Sequence, residues 1–137
     1  VHESSLSPCV HCIQAAKLGR MAQAYDFYLR TSRLDLDDYN KEVEQGLHIT
    51  SMAGTWMSIV EGFGGMRVLN DKLNFFPQIP KQWQSYSFKV NFRNRIIKVT
   101  VTKDQSTYEL TGLEQMSIRV NNERVVLNPG IKVTVNL

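Results

Sequence analysis

A histidine, two hydroxyls and several small residues are gathered in Gly46-Leu47-His48-Ile49-Thr50-Ser51-Met52-Ala53-Gly54-Thr55-Trp56. Thr50 or Ser51 is placed to act as N-cap, since Met52, Trp56, Ile59, Val60 and Phe63 come after them at helical spacing on one face. Ala53 and Gly54 keep the first turn open, so its unpaired backbone N–H groups can meet an anion directly. Phosphate is the anion that fits such a tip; plain capping of an apolar helix is the competing reading.

Two other groups invite chemistry. Cys9 and Cys12 have the Cys-x-x-Cys spacing of redox and half-zinc motifs, but no second pair exists and Ile13 stands where a haem site has His. With Ile13 and Ala16 they form an apolar helical stripe, so they read as core thiols of a reducing compartment. The acidic run with Asp35, Asp37, Asp38, Glu42 and Glu44 lacks the glycine and ligand spacing of a calcium loop. Carboxylates aimed at a phosphate would repel it, so this run is expected to point elsewhere, and no metal site is expected.

These residues need elements to hold them. Ser7 as N-cap and Pro8 at the first helical position start a helix over about 8–18 with Gly19 as its stop, and Met21, Ala24, Tyr25, Tyr28 and Leu29 carry a second helix to about Ser32. Together they predict an αα-hairpin. A third helix, from about Ser51 to Phe63, is the most apolar and should be the most buried; Gly62, Gly64 and Gly65 end it. After Met66 the period changes to two. Short strands are expected at Met66 to Leu69, Leu73 to Phe76, Tyr86 to Phe92, Ile97 to Val101, Thr107 to Leu110, Ser117 to Val120, Glu123 to Leu127 and Ile131 to Leu137. Turns at Asn70-Asp71, Arg93-Asn94, Asn121-Asn122 and Asn128-Pro129-Gly130 separate them, which implies an antiparallel two-layer sheet. Trp56, Trp83, Tyr86 and Phe88 could stack on sugar rings, but their positions are those of core residues.

The 137 residues thus divide near Gly64-Gly65 into an α+β pair of units, 1–65 and 66–137. The first carries 5 Lys/Arg against 8 Asp/Glu, the second 11 against 5, so the net charge of +3 is a basic second half. Those cations are spread singly along alternating strands without a basic-aromatic cluster, which argues against nucleic acid. No run approaches the roughly 20 apolar residues of a membrane span, and no secretory signal is recognisable. Three helices cannot bury their own apolar stripes, so a missing neighbour is expected.

The string around His48 resembles a signature of glycoside hydrolase family 65, the family of maltose, trehalose and kojibiose phosphorylases. So do Val1-His2-Glu3-Ser4-Ser5-Leu6-Ser7, Leu34-Asp35-Leu36-Asp37-Asp38-Tyr39-Asn40 and Gly62-Phe63-Gly64-Gly65-Met66-Arg67. The likeness covers about the first half of the chain; beyond Phe88 it is one of pattern. It implies that 1–65 are the last helices of a catalytic (α/α)6 barrel and that 66–137 are a small C-terminal β-sandwich-like domain. The implied activity is inverting phosphorolysis of an α-glucosyl disaccharide, most like the maltose-specific members, giving β-glucose 1-phosphate and glucose. Inorganic phosphate then replaces the water of an inverting hydrolase, and one carboxylic acid suffices. On this reading His48, Thr50, Ser51 and Gly54 hold phosphate, and His2, Glu3, Ser4 and Ser5 line the substrate pocket.

The family's general acid is a Glu upstream of the matching region. No catalytic residue is therefore assigned here, and the chain is expected to be a fragment, inactive alone, of a cytoplasmic and commonly dimeric enzyme without a cofactor. A hydrolase of the same family and a non-catalytic carbohydrate-binding or scaffold β module are the alternatives.

Overall fold

The computed structural model describes residues 4–38, 41 and 43–137. Two compact units divide it, one ending at Phe63 and the other Gly64–Leu137.

In the helical unit, α1 spans Ser7–Lys17 and α2 Met21–Ser32. Gly19, at φ 72°, reverses the chain: its N–H bonds Ala16 O and that of Arg20 bonds Ala15 O, the paired closure of a Schellman stop. Ser7 lies inside α1 instead of capping it, and Leu6 holds the cap position. A single turn, α3 (Leu34–Asp37), leads through a 3-10 turn (Val43–Gln45) to α4 (Ile49–Met57).

The helix expected from Ser51 to Phe63 differs in three respects. It starts two residues earlier, with His48 as N-cap, so neither Thr50 nor Ser51 caps it. After Met57 it widens into a π turn over Ser58–Phe63. One extra residue in a helix of 3.6 residues per turn rotates the later side chains by about 100°. Val60 and Phe63 are accordingly buried, whereas Met52 and Trp56 are exposed by 49% and 47%. The face of α4 that packs inward is the small one, Ser51 and Gly54. A Cβ on Gly54 would lie 2.9 Å from Cys9 Cβ and 3.3 Å from Thr31 Cγ2, so this glycine sets how closely α4 approaches α1 and α2.

The β unit contains two four-stranded sheets. One has the order β1-β2-β6-β7 (Arg67–Leu69, Lys72–Phe75, Met116–Val120, Glu123–Leu127) and the other β3-β4-β5-β8 (Ser85–Phe92, Arg95–Thr102, Gln105–Thr111, Lys132–Asn136). Asn70-Asp71, Arg93-Asn94 and Asn121-Asn122 all have positive φ, as two-residue hairpin turns with the strands' own twist require. Alternate residues fill the core, among them Phe75, Ile97, Val99, Tyr108, Ile118 and Leu127. The expected antiparallel arrangement holds except between β2 and β6, which pair in parallel with Phe75 opposite Val120. β6 comes after a strand of the other sheet, so its direction is not imposed by a hairpin with β2.

Candidate functional site

Asp35 is the residue around which the start of α4 is built. Its turn, α3, is stapled by a bidentate ion pair from Arg33 to Asp37 (2.7 and 2.6 Å) and closed by Asp38 in a left-handed conformation. Asp38 Oδ1 also accepts the N–H of Val43 at 3.1 Å. From this support Asp35 reaches 13 residues along the chain to His48: Oδ1 lies 2.6 Å from Nδ1, and Oδ2 accepts the backbone N–H at 3.0 Å. Side-chain exposure is 17% for His48 and 15% for Asp35, so water competes little for this contact. The hydrogen bond from the imidazole, and then that from the amide, hold the Asp35 carboxyl below its usual range.

The acidic run is expected to point away from a phosphate; Asp35 adds a partner which that expectation did not name, because it turns to the Nδ1 side of His48. Asp37 and Asp38 are committed to Arg33 and Val43, while Tyr39, Asn40 and Glu42 lie outside the described residues.

The helix tip offers fewer donors than four open amides. His48 N–H is held by Asp35, Ile49 N–H bonds Leu47 O at 3.1 Å, and Ser51 N–H turns back to His48 O at 2.9 Å. Thr50 N–H has no acceptor among the described residues, and the Thr50 side chain is exposed. Ser51 is buried, and its hydroxyl donates to Ser5 O at 2.9 Å. Gly54 lies beyond the first turn and faces Cys9 and Thr31. Ser4 O receives Ser7 Oγ, and Ser4 Oγ accepts the N–H of Leu6. His2 and Glu3 lie outside the described residues.

The fold thus brings together Ser5, Asp35, His48, Thr50 and Ser51 from three separate stretches of sequence. An imidazole, a hydroxyl and one amide at a helix N-terminus can receive a small oxyanion, with Thr50 donating directly and His48 through the ring. The carboxylate behind the ring fixes which nitrogen faces Asp35 and opposes part of the charge that an anion would bring. Sequence reasoning missed Asp35. The signal available to it was the pairing of a carboxylate with a histidine in the same family-like segments.

The cysteines take no part. Cys12 is fully buried and its thiol is pushed up to about 11 by that burial, so it stays protonated, and Cys9 Sγ donates to Leu6 O. Among the described residues no group of three or more His, Cys, Asp or Glu gathers as metal ligands, and no helix is long and apolar enough to cross a membrane. In the β unit Trp83, Tyr86 and Phe88 form a ring series with centroids 5.8 and 6.3 Å apart. The Tyr86 hydroxyl is bonded to Gln78 O.

Comparison with known proteins divides the chain in a similar place. Residues 1–57 match the glycosyl hydrolase family 65 central catalytic domain, and residues 66–127 match the C-terminal domain of the same family. Maltose phosphorylase of Bacillus subtilis (strain 168) is 54% identical over 93% of this chain and 17% of its own length. Alpha,alpha-trehalose phosphorylase of Thermoanaerobacter brockii is 43% identical over 94% of the chain and 17% of its own. A solved structure described as a putative kojibiose phosphorylase from human microbiome superposes with a TM-score of 0.93 at 40% identity, covering all of this chain and 20% of that one. The chain spans about a sixth of the length of the curated relatives it matches. Two successive domain models of one family, and relatives at this identity across nearly every residue, have a single source: the chain belongs to glycosyl hydrolase family 65.

Proposed function

We propose that this chain is the C-terminal part of an inverting disaccharide phosphorylase and that the tip of α4 receives the attacking phosphate. The observation that carries the reading is the convergence of three family-like stretches at one point, through the Ser51–Ser5 bond of 2.9 Å and the Asp35–His48 contact of 2.6 Å. Phosphate is already anionic, so it needs positioning below the anomeric carbon more than it needs deprotonation. Thr50 and His48 supply that positioning, while Ser51 and Gly54 place the helix that carries them. Ser4, Ser5, His2 and Glu3 belong to the adjoining sugar pocket in this reading.

The general acid that protonates the leaving oxygen comes from a Glu in the preceding part of the barrel, so the chain alone is inactive. Maltose is the substrate favoured by the 54% identity to a maltose phosphorylase. Dimeric assembly and a cytoplasmic location complete the reading and rest on the family resemblance alone.

The test uses the full-length protein. Maltose, trehalose and kojibiose are offered with and without inorganic phosphate, and the anomeric form of any glucose 1-phosphate is read by NMR. Phosphate-dependent consumption of maltose with release of the β anomer supports the proposal. Equal consumption in phosphate-free buffer indicates a hydrolase. His48→Ala should raise the phosphate KM at least tenfold and the disaccharide KM less than twofold; the reverse pattern removes His48 from the phosphate site.

A further inference from the structure

We propose that Asp35 is a positioning residue of the phosphate site, acting through His48; the inference rests on the reading of His48 as a phosphate ligand. A histidine can turn either ring nitrogen toward a ligand, and the choice is made by the partner of the other one. Here Asp35 Oδ1 sits 2.6 Å from Nδ1, so the ring meets phosphate through Nε2. The second carboxylate oxygen holds the backbone N–H of the same residue at 3.0 Å, which fixes the main chain from which the ring projects. Two bonds from one carboxylate to one residue leave the imidazole little freedom to swing. The carboxylate is itself held, because the turn that bears it is clamped by the Arg33–Asp37 pair. Capping of α4 alone would need only the bond to the amide. The short contact to Nδ1, with both side chains more than four-fifths buried, is what a cap does not require.

The experiment is a double-mutant cycle in the full-length phosphorylase, with phosphate and disaccharide KM measured separately. Asp35→Asn preserves the side chain's shape but has one acceptor oxygen where Asp has two. It should raise the phosphate KM about tenfold, the low end of the loss that follows removal of the carboxylate behind a metal-ligating histidine, and change the disaccharide KM less than twofold. In a His48→Ala background the same substitution should add less than a twofold further change, because the residue through which it acts is gone. Asp37→Asn is the control: it loosens the same turn without touching His48 and should leave the phosphate KM within twofold.

An equal rise in both KM values, a full additional effect in the His48→Ala background, or an Asp37→Asn effect as large as that of Asp35→Asn would each overturn the positioning role. If His48→Ala leaves the phosphate KM unchanged, the functional reading fails and this inference with it. If His48→Ala acts and Asp35→Asn does not, only the inference about Asp35 falls.

Discussion

Thr50 and Ser51 are neighbours with similar hydroxyls, yet the fold gives them opposite tasks. Ser51 donates its proton to Ser5 O across 46 residues of chain, whereas Thr50 is exposed and its N–H has no acceptor among the described residues. Ser51→Ala should therefore lower stability by about 1 kcal/mol, as loss of one internal hydrogen bond does, measured by urea unfolding. Thr50→Ala should leave stability within about 0.5 kcal/mol and raise the phosphate KM of the full-length enzyme. The carboxyls of Asp35 and Asp37 are both held below their usual range by hydrogen bonds from His48 and Arg33. A depressed native pKa stabilises at pH above the unfolded value near 3.9 and is lost as pH falls through the native value. The urea midpoint should drop as pH is lowered below about 4, and Asp35→Asn should flatten that fall. At this scale the sequence exposed His48, because an imidazole before an apolar helix stands out locally. Asp35 did not stand out: a carboxylate in an acidic run looks like all the others until the turn at Asp38 brings it to the ring.

The third helix shows what periodicity can and cannot resolve at the level of elements. Periodicity put Met52, Trp56, Val60 and Phe63 on one face, but the π turn splits them, leaving Val60 and Phe63 buried and Met52 and Trp56 about half exposed. Widening depends on how Ser58–Phe63 packs, and Ser58 Oγ binding Gly54 O is an interaction that other helical serines also make. The strands were legible nearly to the residue, because alternation and Asn-rich turns are local signals; the parallel β2–β6 ladder was not, since it depends on which strands meet. Gly54 illustrates the same limit. Replacement by Ala ordinarily stabilises a helix by about 1 kcal/mol. Here the new methyl would meet Cys9 Cβ, which moves only with the α1 backbone, so Gly54→Ala should instead destabilise by about 1–3 kcal/mol in chemical denaturation. Adding Cys9→Ala should not rescue it, because Cβ remains at 2.9 Å when the sulfur is gone. Cys9→Gly removes that contact and should recover part of the loss.

For the molecule as a whole, the sequence analysis expects a neighbour for the helices, and the structure leaves a group of apolar side chains exposed in one region. Leu47 and Ile49 are exposed by 72% and 73%, and Met52 and Trp56 by about half, all in and beside α4. Isolated exposed apolar residues are ordinary, but four on one short segment make a patch that water does not favour. If the chain ends a helical barrel, as its match to the family's catalytic domain supports, the remaining helices cover this side of α4. Trp56 can report on that. With Trp83 replaced by Phe, Trp56 becomes the sole indole of this chain. In the isolated chain its fluorescence should be quenched by acrylamide, though less readily than that of a free tryptophan derivative, because about half of the residue is covered. In the full-length protein its signal is isolated as the difference from a Trp56→Phe variant. There the quenching constant should fall several-fold and the emission move to shorter wavelength, because the ring passes from half-exposed to enclosed. Equal quenching in the two proteins would leave this face in water, and the assignment of these helices to a barrel wall would lose its physical reason. A fall seen only at high concentration of the isolated chain would point to self-association through the same patch, which dilution separates from burial within one chain.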